Sequence, residues 1–225
     1  MKKQMIGVVA ALALLCAGQA MAQDEGMGLG VGAKVGTMGL GIELTKGFTD
    51  TLNGRVGFNA YNYSRSENLS DIDYDMDLKF QSFAGFLDWH PGGGNFRMSV
   101  GYFINNNELD MTAQLASGAT YKIGDQNYTA NQLGSLKGNV NLSNGAYLGL
   151  GWGNAASKKK GWSFIADAGV VAQGSPDVSL TSSGGTLSNN ATLLAEIQKE
   201  EDNMQGDLDH FKYYPVVSLG ASYSF

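Results

Sequence analysis

Along most of this chain apolar and polar residues alternate with period two, the spacing of a β-strand with two unlike faces. The clearest run is the last one. Val217, Leu219, Ala221, Tyr223 and Phe225 share one face, and Ser218, Gly220, Ser222 and Ser224 share the other. The pattern recurs upstream. Phe96, Met98, Val100, Tyr102 and Ile104 oppose Arg97, Ser99, Gly101 and Asn105, and Trp162, Phe164, Ala166, Ala168 and Val170 oppose Ser163, Asp167 and Gly169. Ala146, Leu148, Leu150 and Trp152 oppose Tyr147, Gly149 and Gly151, while Val56, Phe58 and Ala60 oppose Arg55, Gly57 and Asn59. Near the start, Leu29, Val31, Ala33 and Val35 oppose Gly30, Gly32, Lys34 and Gly36, and Leu40, Ile42 and Leu44 oppose Gly41, Glu43 and Thr45. The stretch Asp77 to Trp89 is strand-like, but its two faces cannot be told apart.

These runs thread as an eight-strand antiparallel meander over 28–36, 39–47, 53–64, 76–88, 95–107, 140–152, 162–173 and 212–225. The first pair could instead be one bent strand over 28–47. Connections at 48–52, 89–94 and 153–161 are short; those at 65–75, 108–139 and 174–211 are long. Short turns at one end and long loops at the other are the habit of outer-membrane β-barrels, with apolar residues facing lipid and small polar residues facing inward. Both termini then lie on the periplasmic side. The segment 190–208 breaks the period: Leu193, Leu194, Ile197, Met204 and Leu208 suit a short acidic amphipathic helix in the last outer loop. A soluble sandwich would bury the same apolar faces, but tyrosine and tryptophan near strand ends match the aromatic girdles of membrane barrels.

The N-terminus agrees. Lys2 and Lys3, an apolar stretch from Met5 to Ala17, and Ala20-Met21-Ala22 form the three parts of a secretory signal peptide. The expected division is a leader over 1–22 and a barrel domain over 23–225. Cys16 is the only cysteine and falls within the leader. Leu15 before it argues against lipid attachment, and the mature chain keeps no thiol. The leader holds two lysines and no acid, so its removal takes the net charge from −6 to −8. An acidic chain with no basic run beyond Lys158-Lys159-Lys160 excludes a nucleic-acid partner. High glycine (32 residues) with only 3 prolines and 10% aromatics suits close packing inside a narrow barrel.

Little in the chain resembles catalytic chemistry. His90, in Asp88-Trp89-His90-Pro91, and His210 fall at opposite ends of the expected barrel, so they can share neither a metal nor a triad, and no enzyme activity or cofactor is expected. Gly28-x-Gly30-x-Gly32 and Gly149-x-Gly151-x-Gly153 lack the spacing and the following helix of a dinucleotide loop. Asp71-x-Asp73-x-Asp75-x-Asp77 opens like a calcium loop but has Met76 at position six and Ser82 at position twelve, where glycine and glutamate belong. It reads as a solvated acidic rim. The alternative is loose bridging of divalent cations to lipopolysaccharide phosphates. More informative are Lys34, Glu43, Arg55, Arg97 and Asp167, all on the small polar faces of their strands. Charges on the lipid face near the midplane cost several kcal/mol, so these point inward. They either plug the lumen as a salt-bridge network or line a charged constriction. Phe225, with Tyr223 two before it, resembles the terminal signal read by the barrel-assembly machinery.

Tyr147-Leu-Gly-Leu-Gly-Trp-Gly-Asn154 resembles the matching part of the carbapenem-associated outer-membrane protein family. Gly161-Trp162, Gly174-Ser-Pro-Asp-Val-Ser-Leu-Thr181, Tyr214-Pro215-Val216 to Phe225, Tyr121-Lys-Ile-Gly-Asp-Gln-Asn-Tyr128 and Ala33-Lys-Val-Gly-Thr37 are similar as well, in the family's order. The resemblance implies an eight-stranded outer-membrane barrel with a role in uptake of small solutes, basic amino acids such as ornithine among them. It carries over no ligand residues. Two functions follow as expectations: slow selective passage of small polar solutes, or a closed barrel with a structural or surface role. The expected partners are outer-membrane lipid, lipopolysaccharide and, during biogenesis, the assembly machinery.

Overall fold

A sheet in hydrocarbon must leave no strand edge unpaired, and closing on itself is how it does so. The computed structural model describes residues 28–69 and 72–225, so the leader and Asp71 lie outside the described residues. Thirteen strands are present among them: β1 (Leu29–Gly36), β2 (Gly39–Gly47), β3 (Leu52–Leu69), β4 (Ile72–Trp89), β5 (Phe96–Asn105), β6 (Glu108–Leu115), β7 (Thr120–Ile123), β8 (Gln126–Thr129), β9 (Gly134–Asn141), β10 (Gly145–Trp152), β11 (Gly161–Ala172), β12 (Asp177–Gly184) and β13 (Tyr213–Ser224). Eight of them form a closed antiparallel ring in the order β1-β2-β3-β4-β5-β10-β11-β13, with β13 returning to β1. No described helix is long and apolar enough to cross a membrane, which says nothing of strands.

The faces fall where the alternation put them. Leu40, Val56, Val100, Leu148, Leu150, Trp162, Phe164, Val217 and Leu219 are exposed on the outside, while Glu43, Arg55, Arg97, Ser99, Tyr147 and Asp167 are buried inside. Water would not tolerate so continuous an apolar belt; hydrocarbon requires it. The ambiguous stretch resolves too: Phe83, Leu87 and Trp89 face out, and Ser82, Ala84, Phe86 and Asp88 face in. Residues 28–47 are two strands, paired from Leu29↔Lys46 to Gly36↔Gly39 through a tight Thr37–Met38 turn. Inward glycines give the lumen its room. A Cβ on Gly149 would stand 2.1 Å from Tyr147 Oη, and one on Gly151 would stand 2.6 Å from Arg97 Nε.

The long loops are where the structure departs from expectation. β3 and β4 do not stop at 64 and 76 but continue as an unbroken hairpin to Leu69 and Ile72. β6 carries on along β4 in the register of β5, β9 pairs with β6, and β12 pairs with β9. One side of the barrel therefore rises into a five-strand wall, while the β1–β2 hairpin stays short. Across the wall the outward residues form three rows: Asn62–Lys79–Glu108–Asn141–Asp177, Ser64–Asp77–Asp110–Asn139–Ser179 and Ser66–Asp75–Thr112–Lys137–Thr181. The rows between them, on the inner side, include Tyr63–Leu78–Leu109–Val140–Val178 and Arg65–Met76–Met111–Gly138–Leu180, apolar but for Arg65. The polarity of the sheet has inverted: polar outside, apolar inside. A reading that matched apolar-out strands saw these polar-out segments as loops.

At its far end the inner side is covered by the helix Ala191–Leu208, close to its expected bounds, and by the β7–β8 hairpin. Asn190 caps the helix by accepting from the Thr192 and Leu193 N–H groups. Leu193 and Ile197 pack with Ile123, Tyr128 and Leu133, against Leu136 and Leu180 of the wall. The free edge of β12 is closed by the same helix. The Val178 N–H donates to Gln205 Oε1 (3.1 Å) and the Leu180 N–H to Glu201 Oε2 (2.8 Å), so the edge offers no template there for another chain.

Candidate functional site: the charged interior of the barrel

Each interior charge sits where its strand parity aims it, and the narrow lumen forces the set into contact. Lys34 on β1 meets Glu43 on β2 at 2.9 Å. Arg55 on β3 is the hub: Nη1 to Glu43 at 3.0 Å, Nε and Nη2 to the two oxygens of Asp88 at 2.7 and 3.0 Å, and Nη2 to Asp167 at 3.4 Å. Arg97 on β5 donates to Asp167 at 2.7 Å and to the Gly153 carbonyl at 2.5 Å. Ser99 donates to Asp88 at 2.5 Å, and Ser218 to Asp167 at 3.4 Å. All five charged residues read from the sequence are thus brought together. Reading missed the sixth, Asp88, because the inner face of β4 carries Ala84 and Phe86 and is as apolar as its outer face. Charge balance was the available signal: three cations had only two carboxylates, and Asp88 makes the set neutral.

Both ends of this layer are closed by side chains. On the side away from the termini, Phe86, Phe103 and Tyr147 meet edge to face with centroids 5.3–5.7 Å apart, backed by Met38, Val171 and Val216. The Arg55 guanidinium lies 4.3 Å from the Phe86 ring centre, which ties the aromatic layer to the charged one. Lys34, Met38, Asn59, Phe103, Val216 and Ser218 border a cavity of about 10 Å³, room for one water. On the terminal side His90 is 1% exposed. Asn53 Nδ2 donates to His90 Nε2 at 3.0 Å, which leaves Nδ1 to donate to the Gly94 carbonyl at 3.0 Å. Those two bonds fit one neutral tautomer, and burial holds the imidazole below its ordinary range. His90 is therefore a floor residue, while His210 is exposed at the opposite end.

The remaining candidates stay apart from this layer. Tyr223 stacks edge to face between Trp162 and Phe225, at 5.3 Å from each, on the outer surface at the terminal end. Asp75 and Asp77 lie in β4 rather than in a loop, accepting from Ser66 Oγ and Ser64 Oγ. Among the described residues no group of three or more His, Cys, Asp or Glu side chains is placed to hold a metal.

No family model matches the sequence, and no curated protein does. Solved structures do. Acinetobacter baumannii CarO2 superposes with a TM-score of 0.57 at 25% identity, over 88% of this chain and 98% of that one. CarO of the same organism gives 0.53 at 23% identity over the same shares, a likeness of fold alone. CarO is the carbapenem-associated outer membrane protein, so the structural neighbours belong to the family that the sequence blocks resemble.

Proposed function

We propose that this chain is an outer-membrane barrel whose lumen is closed at rest, and whose working surface is the tall polar wall beyond the membrane. The observation that carries the reading is the filled interior: Glu43, Arg55, Asp88, Arg97 and Asp167 are each 5% exposed or less and paired across the lumen. Three cations against three carboxylates leave no net charge to attract an ion. The outer-membrane setting is supported by the apolar belt and by the CarO likeness; export by the 1–22 leader and assembly through Tyr223 and Phe225 complete the proposal.

A second reading, slow passage of small polar solutes, rests on a different observation. Glu43 Oε1, Thr45 Oγ1 and Ser222 Oγ are buried without partners. They flank β1 at Gly30 and Gly32, where the Ala155 carbonyl and the Glu43 and Ile165 side chains fill the space inside the glycines. Water admitted along this polar seam would satisfy them and loosen the network from one side. Single-channel recording of the refolded protein separates the two readings. Silence where a known porin conducts supports the closed barrel; resolved conductance steps, altered by Glu43→Gln, overturn it in favour of passage.

A further inference from the structure

On β4 the outward residues Lys79, Asp77 and Asp75 belong to the same series as Phe83, Leu87 and Trp89, with no bulge between them. The polar rows of the wall are therefore the upward continuation of the lipid-facing belt, beginning two outward positions above Phe83, past Gln81. From Lys79 to Ile72 the strand runs about 23 Å at the usual rise, roughly 17 Å along the membrane normal at a typical tilt. Whatever molecule packs its chains against the belt must lay its head group against these rows.

We propose that the outward face of the wall docks the saccharide head group of the outer-leaflet glycolipid by direct hydrogen bonds. The proposal rests on the outer-membrane placement above and not on whether the lumen conducts. The chemistry of the face selects this occupant. Its three rows hold hydroxyls, amides and carboxylates and no apolar residue, whereas the core of a protein interface is apolar and rich in aromatics. Carboxylates outnumber lysines, and Lys79 is already engaged by Glu108 and Asp110. Bare phosphate is thus a poorer match than sugar hydroxyls, which both donate and accept. At the upper end of the face, Ser64, Ser66, Asp75, Thr112 and Gln114 line a groove of about 580 Å³, the size range of small-ligand sites, with Lys137, Arg65 and Met76 also on its wall.

The test uses the full mature chain in phospholipid nanodiscs, with soluble deacylated core oligosaccharide as the probe and saturation-transfer NMR as the readout. Tryptophan emission first establishes insertion; a chain that does not insert refutes the membrane placement rather than the docking. For the inserted protein, transfer to sugar protons is expected, unchanged by a chelator. The variant Ser64→Ala/Ser66→Ala/Thr112→Val should bind about tenfold more weakly, as the loss of a few exposed hydrogen bonds implies. Ser117→Ala, on an exposed turn, should bind like the parent. Absence of transfer to the inserted parent, equal binding by the triple variant, or loss of transfer on chelation (cations rather than hydroxyls making the contact) would each overturn the proposal.

Discussion

Replacing Arg55 with methionine removes the hub of the interior while keeping most of its volume. In the parent, Glu43 retains Lys34 and Asp167 retains Arg97, so those carboxylates keep a partner after the change. Asp88 loses its direct ion pair and keeps the Ser99 hydroxyl and the more distant charge of Arg97. Breaking a buried pair from one side costs about 3–5 kcal/mol, because the remaining charge is stranded. An independent ceiling comes from protonation. Neutralising a carboxyl of ordinary pKa at pH 7 costs about 4 kcal/mol, so the variant need not lose more than that on this account. The guanidinium–Phe86 contact adds up to about 2 kcal/mol, part of which a methionine sulfur recovers. The expected loss is therefore about 3–5 kcal/mol at pH 7.

The same reasoning fixes a pH signature. If the variant folds by taking up a proton on Asp88 and the parent does not, the gap between them narrows by about 1.4 kcal/mol per unit as pH falls from 7 toward 5. Removing the stranded charge as well, in Arg55→Met/Asp88→Asn, should recover about 2 kcal/mol or more. Urea unfolding in lipid bilayers, followed by tryptophan fluorescence and extrapolated linearly, measures all three proteins. A loss below about 1 kcal/mol that is flat with pH would place Arg55 in water and refute the closed, neutral network.

Gly149→Ala should cost about 1–3 kcal/mol in the same assay, since its methyl meets the Tyr147 ring within a fully packed aromatic layer; the loss should shrink when Tyr147 is also reduced to alanine. Cysteine-linked fluorophores at Val100 and Phe164 should be quenched by lipid-borne quenchers and those at Ser99 and Ser163 should not; the opposite result would mean a register slip of one residue. Deleting Phe225 should lower outer-membrane yield far more than deleting a residue within 115–120, and equal yields would remove the assembly role. Glu196 pairs with Lys199 and accepts from the Asp125 N–H at 2.7 Å, contacts that hold its carboxyl below the usual range. A depressed carboxyl stabilises above the unfolded value and loses that contribution as pH falls through the folded one. The protection factor of the Asp125 amide, with exchange corrected for its intrinsic pH dependence, should therefore fall as pH drops from about 5 toward 3, and Glu196→Gln should remove that dependence.

The barrel proper was legible because two rules act on each membrane strand together. Side chains alternate, and only one face can meet hydrocarbon, so Val100 and Phe164 had to point one way and Arg97 and Asp167 the other. The rule weakens where the interior is itself apolar. Tyr147, Phe103 and Ile165 are inward and buried; Phe103 and Ile165 could not be separated from the outer set by polarity, and the same ambiguity on β4 hid Asp88. Contacts across the lumen were unreadable for a further reason: which charges meet depends on the ring order and on shear, neither of which a local pattern contains. The aromatic layer above the network is the clearest casualty, since it joins residues from β4, β5 and β10.

The wall shows why the outer region was misread, and what that implies about the chain. Period two persists through Ser64–Asp77 and Ser66–Asp75, but the solvent on the outward side has changed, so the apolar residues move to the inner face. One continuous hairpin of β3 and β4 obeys opposite polarity rules along its length, and a reading with a single rule ends the strand where the rule reverses. The reversal lies between Phe83 and Lys79, the last exposed apolar residue and the first outward charge on β4. It is a boundary written in the sequence. Above it the inner face no longer borders a lumen of paired charges and must find apolar cover, which Leu193 and Ile197 of the helix supply. The helix therefore answers the inversion: without it, Leu136 and Leu180 of the inner face and the β12 edge would lie open beside the mouth of the barrel, an invitation to pair with another chain.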